Sequence, residues 1–210
     1  MRARCGDTLT ALEYLERICL QRVLDHLPGA RDPMADAWPA HALIELTPPD
    51  PDAGLHERLE AALWTLRESM SEMQKPVGAS IKHDVAVPVC RVAQFIDDGV
   101  AACKAHMPEV RPCPSGHFGD GNIPFNLTRP VAMGASEFLS HHEAFNRIVH
   151  DLVAATGGSI SAEHGIGLTK RDALARCKDP VALALALYRS LKAALDPLDL
   201  MNPGKLLARP

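Results

Sequence analysis

The tetrad Gly119-Asp120-Gly121-Asn122 constrains this chain more than any other feature. It separates two strand-like runs, Glu109 to Phe118 and Asn122 to Leu127. Gly, Asp and Asn tolerate the positive φ that a tight hairpin needs. The tetrad therefore calls for antiparallel neighbours. Combined with long helical patterns elsewhere, it points to an α+β fold: an antiparallel sheet with helices packed on one face, followed by C-terminal helices. The competing architecture is a doubly wound parallel sheet. No G-x-G-x-x-G follows a strand, so the dinucleotide fingerprint of that fold is absent.

The remaining elements follow from apolar spacing. Leu9, Leu12, Leu15, Ile18, Cys19 and Val23 recur at helical intervals, so Leu9 to Leu27 reads as one amphipathic helix, capped by Asp7 or Thr8 and ended by Pro28-Gly29. Ala42 to Leu46 reads as a short strand, and Pro48 to Asp52 as a loop with Asp52 a helix cap. Gly54 to Met73 reads as a helix on which Arg67 and Ser71, four apart, share a face. Ile81 to Val89 alternates as a strand, with Ile81, His83, Val85 and Val87 on one side and Lys82, Asp84 and Ala86 on the other. His83 on that apolar side reads as packing. Further helices are expected over Arg91 to Ala105, Glu137 to Ala155, Leu168 to Cys177 and Val181 to Leu195. The expected division is an N-terminal helix over 1–30, a substrate domain over 31–160, and an active-site loop, helices and tail over 161–210.

Composition narrows the function. The formal net charge of −4 over 210 residues gives no nucleic-acid footprint. No apolar run approaches the ~20 residues that span a bilayer. The six cysteines form no C-x-x-C pair and are expected to be reduced in a cytoplasmic protein.

Two glycine-flanked segments carry the chemistry: His117 to Asn126, and Ser159 to Gly167, which holds Glu163 and His164. Asn122, Pro124 and Asn126 share one strand face, and His117 lies on the partner strand. If the two segments meet, two imidazoles, a carboxylate and amides surround one small polar site. Read alone, each segment is equally well a structural turn. Arg67 and Lys82 alone read as surface charges, and Asn202-Pro203-Gly204-Lys205 as a turn.

Taken together, Ala11-Leu12-Glu13, Lys82 to Pro88, His117 to Asn126, Ser159 to Gly167 and Met201 to Lys205 resemble the C-terminal half of FAD-linked 2-hydroxyacid dehydrogenases of the vanillyl-alcohol oxidase type. That group includes D-lactate dehydrogenase, D-2-hydroxyglutarate dehydrogenase and the glycolate oxidase flavin subunit. The resemblance implies a ferredoxin-like cap domain over a flavin, and oxidation of a D-2-hydroxy acid to the 2-oxo acid by hydride transfer. His164 resembles the base that takes the hydroxyl proton. Arg67, Ser71 (a threonine in the family) and Lys82 match positions that hold substrate carboxylates, which suits two cations. Asn126 resembles a substrate or metal-shell contact. Asn202, Gly204 and Lys205 resemble the segment that returns to the flavin. His117 and Glu163 resemble metal ligands, as for zinc.

Two departures are visible. The family's second ligand histidine falls at Pro124, which has no donor atom, so two ligands stand where a catalytic zinc takes three. No flavin-binding domain is recognised in the sequence, so FAD is expected to be bound by an N-terminal domain of the same gene or by a separate subunit. The electron acceptor (a quinone, cytochrome or carrier flavoprotein), a peripheral membrane location through that acceptor, and a homodimer are left open. The alternative from another class is a catalytically silent binding or assembly module. A metal hydrolase built on His117 and Glu163 is a third reading and needs a further ligand.

Overall fold

The computed structural model describes residues 9–46, 57–177 and 183–208. The elements are β1 (Leu9–Glu16), α1 (Arg17–His26), β2 (Ala40–Leu46), α2 (Glu57–Met73), β3 (Ser80–Ile81), β4 (Asp84–Ala86), α3 (Val92–His106), β5 (Arg111–His117), β6 (Asn122–Thr128), α4 (Ala135–Ser140), α5 (His142–Ala155), α6 (Arg171–Cys177) and α7 (Leu183–Leu195). The strands form one antiparallel sheet in the order β2-β1-β5-β6-β3, with β4 also paired to β6. The α+β class and the hairpin expected from the tetrad are both found. The expected caps at Asp7 or Thr8, and the Pro48 to Asp52 loop, lie outside the described residues.

The register divides the sheet's side chains sharply. One face carries Ile81, Val85, Ile123, Phe125 and Leu127, all essentially inaccessible. Against it pack Phe95 of α3 and Phe145, Val149 and Val153 of α5, which makes the larger core. The Phe95 and Phe125 rings meet edge to face at 5.6 Å, a favoured aromatic geometry. His83 and His150 are buried on this side with ring centroids 5.9 Å apart. The opposite face carries Leu15 and Cys113, covered by α1 and α2 through Cys19, Leu20, Val23, Leu66 and Met70. That cover extends over part of the sheet, and polar residues occupy the same face beside it.

Four expectations are corrected. Residues 9–27 are not one helix: Leu9–Glu16 is a strand, paired with β2 and β5, and only Arg17–His26 is helical. The Leu9, Leu12, Leu15 spacing fits a helix, but long-range pairing overrides local periodicity. The Ile81 to Val89 strand is two short strands, and Pro88 opens a 3-10 turn over Val89–Arg91. The helix expected over Glu137 to Ala155 breaks at His141, where ψ is 1°. Finally, Cys19 of α1 and Cys113 of β5 form a disulfide, so the cysteines are not all free; Cys90, Cys103 and Cys177 are.

Gly121 closes the hairpin at φ +84, and a Cβ there would run into the Val87 carbonyl. Gly121→Ala is expected to cost about 2–4 kcal/mol, combining left-handed strain with a backbone clash. Urea unfolding of the variant checks this. Burial lowers both His83 and His150 to about 4, with the Phe125 carbonyl partly opposing this at His83 and the nearby His83 adding to it at His150. Each imidazole is neutral when folded and ordinary, near 6.5, when unfolded. Below pH 6.5 the unfolded chain binds more protons, so stability is full above that value and falls as the pH drops towards about 4. Urea midpoints measured across this window should decline, and His83→Leu should flatten the decline.

Candidate active site

The polar groups assemble along the free part of the second sheet face. The register sets Leu43, Glu13, His117, Asn122 and Ala86 in one cross-strand row over β2, β1, β5, β6 and β4. The neighbouring rows on this face hold Pro124 opposite Asp84, and Asn126 opposite Lys82. The alternation that sends Ile123, Phe125 and Leu127 into the core therefore delivers Asn122, Pro124 and Asn126 to the site.

Glu13 lies at the centre of the first group. Its carboxylate is 2% exposed and accepts from two partners: His117 Nδ1 at 2.5 Å and Arg67 Nε at 2.8 Å. The His117 side chain is 43% exposed. Beside it opens a cavity of ≈ 620 Å³ lined by Leu9 to Glu13, Trp64, Val89 and His117 to Asp120. Helix α2 supplies Arg67, and the turn just past its end supplies Gln74, which accepts from Asn126 Nδ2 at 3.1 Å. Ser71 lies between them in the helix, and its side chain is outside the described residues. Lys82 is exposed at the edge of the same face.

The second group is the loop carrying Glu163 and His164. It begins with Ser159 bridged to Ala86 of β4 by two backbone hydrogen bonds of 2.7 and 2.9 Å. Asp84 then clamps it. The Asp84 carboxylate accepts from the backbone N–H of His164 at 2.9 Å, of Glu163 at 3.2 Å, and from Ser161 Oγ at 3.2 Å. Lys170 Nζ lies 3.7 Å away. Burial alone would raise the Asp84 carboxyl, but the two amide donors and the Lys170 and His164 charges outweigh it and hold it below the usual carboxylate range. Held by its backbone, His164 projects outward with its side chain 76% exposed, its Nδ1 3.6 Å from Asp84 Oδ2. The imidazole is thus free on its outer edge to take a proton.

Asn122 joins the two groups, donating through Nδ2 to Glu163 Oε1 while pairing in register with His117. The two glycine-flanked segments therefore meet. The tail closes on the same loop: Leu206 N–H donates to the Gly167 carbonyl at 2.9 Å, and Arg171 Nη1 to the Gly204 carbonyl at 3.2 Å. Asn202 and Gly204 adopt positive φ, and Lys205 reaches Asn202 Oδ1 at 3.2 Å. Asn202 and Lys205 are exposed and Gly204 is half-buried.

The donor set does not fit a catalytic zinc. The Glu13 and Asn122 contacts still leave one ring nitrogen of His117 and one oxygen of Glu163, as is usual for metal ligands, but Pro124 offers no donor; two ligands stand where three are used. Among the described residues no group of three or more His, Cys, Asp or Glu could hold a metal ion. Asp84, Gln74 and Lys170 escaped the sequence reading because their partners lie far along the chain.

Known proteins are similar to this chain over most of its length. Residues 53–206 match the family described as FAD linked oxidases, C-terminal domain. A D-2-hydroxyglutarate dehydrogenase of Stutzerimonas stutzeri is 38% identical over 95% of this chain and 47% of its own length. Mitochondrial D-2-hydroxyglutarate dehydrogenases of Bos taurus and Arabidopsis thaliana are 33% and 30% identical, over 98% and 96% of this chain and 40% and 38% of their own lengths. The chain thus spans less than half the length of these curated relatives. No helix among the described residues is long and apolar enough to cross a membrane.

Asp84→Asn removes the charge that gathers the loop amides. It is expected to lower the local opening free energy at Glu163 and His164 by about 2 kcal/mol, the scale of hydrogen bonds to a charged group. Amide hydrogen exchange at those two residues measures it. A depressed carboxyl contributes fully above the ordinary aspartate range, about 3.9, and its contribution is lost as the pH falls through the lower folded value. The difference between wild type and variant should therefore shrink only in that acid window.

Proposed function

The chain belongs to the FAD-linked oxidase C-terminal domain family, and from that we propose that it forms the substrate-binding and catalytic portion of an FAD-dependent dehydrogenase acting on a D-2-hydroxy acid. The observation that carries this reading is the His164 loop, clamped by Asp84 on the same sheet face as His117, Arg67 and Lys82. Arg67 and Lys82 attract the substrate carboxylate, and Asn126 flanks it; Ser71 joins them by the family resemblance. His164 takes the hydroxyl proton as the carbonyl forms. FAD, when bound, supplies the acceptor for the hydride that leaves the same carbon. Two cations suit a dicarboxylic 2-hydroxy acid, and the relatives named for D-2-hydroxyglutarate make that acid the first to test.

In this reading the flavin is held by an N-terminal FAD-binding domain, in the same gene or in a separate subunit. Helix α7 supports a covering partner: Leu187, Leu191 and Leu195, at four-residue spacing, are 50%, 57% and 78% exposed. One apolar stripe of this kind marks an interaction face. The second reading, a catalytically silent assembly module, draws on Pro124 and on the fact that no flavin-binding domain is recognised within these 210 residues.

Joining the chain to the flavin-binding portion of a relative provides the test. D-2-hydroxyglutarate should bleach the flavin absorbance, and His164→Ala should slow bleaching by at least ~100-fold, the loss expected for a general base. Unchanged bleaching in that variant would remove His164 from the mechanism. A chimera that holds flavin but is bleached by no 2-hydroxy acid would favour the silent module.

A further inference from the structure

We infer that Glu13 is a positioning residue that sets the working geometry of both His117 and Arg67. Glu13 stands on β1, in a segment whose local pattern marks no site. The register nevertheless places it directly opposite His117, and it is among the most buried polar side chains described. A buried carboxylate must have its oxygens satisfied. Here each oxygen takes a different partner, His117 Nδ1 at 2.5 Å and Arg67 Nε at 2.8 Å.

The chemistry of the three groups then fixes their orientation. An ionised carboxylate only accepts hydrogen bonds, so His117 must carry its proton on Nδ1. In the neutral ring this leaves the Nε2 lone pair on the far edge, away from Glu13 and on the exposed side that borders the ≈ 620 Å³ cavity. The outward nitrogen is thus an acceptor, suited to a substrate hydroxyl proton or another electron-poor group. At Arg67 the contact uses Nε, leaving both Nη groups outside it. A guanidinium anchored through Nε can still offer its Nη edge to a carboxylate in fork geometry. One buried acid therefore restrains both an acceptor and a donor. A second consequence is electrostatic: Glu13 offsets part of the Arg67 charge at long range, so Lys82, exposed to solvent, contributes more to drawing in an acid while Arg67 acts by contact.

What the positioned groups are for rests on the function proposed above, but their geometry can be read without turnover. The experiment uses the 210-residue chain, labelled with ¹⁵N, at about pH 8.5, well above the ordinary imidazole range near 6.5. Long-range ¹H–¹⁵N correlation reports which His117 nitrogen is protonated. The wild-type ring should be the Nδ1–H tautomer. In Glu13→Gln, which sets an amide NH2 donor where one of the two acceptor oxygens stood, His117 should become a mixture of tautomers or the Arg67 Nε–H should exchange about tenfold faster, as for loss of one charge-assisted hydrogen bond. A wild-type ring protonated on Nε2, or on both nitrogens, would overturn the inference whatever the fate of the variant. So would a folded Glu13→Gln protein with both signals unchanged. Silence of the chimera towards 2-hydroxy acids, with these signals as expected, would instead count against the proposed function and leave the positioning role standing.

Discussion

The site depends on the antiparallel register that sets Glu13, His117, Asn122 and Ala86 in one row. Side chains alternate across a sheet, so a one-residue slip would send the row into the aromatic core and bring Ile123 and Phe125 to the surface. The buried face prevents this. Phe125 lies against Phe95, and Gly99 of α3 allows that approach, since a Cβ there would lie 2.9 Å from the Phe125 ring. The apolar face thus holds the polar face in place. The hairpin turn at Gly121 and the β3 pairing to Leu127 and Thr128 fix the register of β6 from either end.

Two buried carboxylates then convert a sheet face into a site. Glu13 gathers side chains from α2 and β5, and Asp84 gathers backbone amides from the 161–164 loop. Each stands where the sheet is rigid and reaches a group that loops or long side chains would otherwise leave free. Burying such charges is costly unless every oxygen is met. Here both acids have several donors, which offsets the desolvation and also restricts where the donors can point. The arrangement is the usual one for a precise site: working groups supported by a second layer whose own rotamers are fixed.

Much of this was legible in the sequence. The Gly119 to Asn122 tetrad gave the hairpin, and strand alternation from Asn122 correctly put Asn122, Pro124 and Asn126 together. Alternation likewise separated Ile81, His83 and Val85 from Lys82 and Asp84. The first strand was not legible. Leu9, Leu12 and Leu15 fit a helical period, no Gly or Pro marks the switch at Glu16, and only pairing to residues more than twenty positions away makes the segment a strand. The two organising acids were not legible as such, because nothing local tells a buried Glu13 or Asp84 from a solvated one. Their meaning lies in partners 104 and 80 residues distant. The order of the motifs, more than any one of them, pointed to FAD-linked oxidases, and the family match bears that out.

The account's central claim is that these residues build the substrate side of a site whose flavin is held by another domain. Titration of the purified 210-residue chain with FAD, followed by flavin fluorescence, tests it most directly. No saturable change is expected, because the proposed function assigns the flavin to that other domain. Tight, saturable binding would show that the chain builds a flavin site unaided and would contradict the claim.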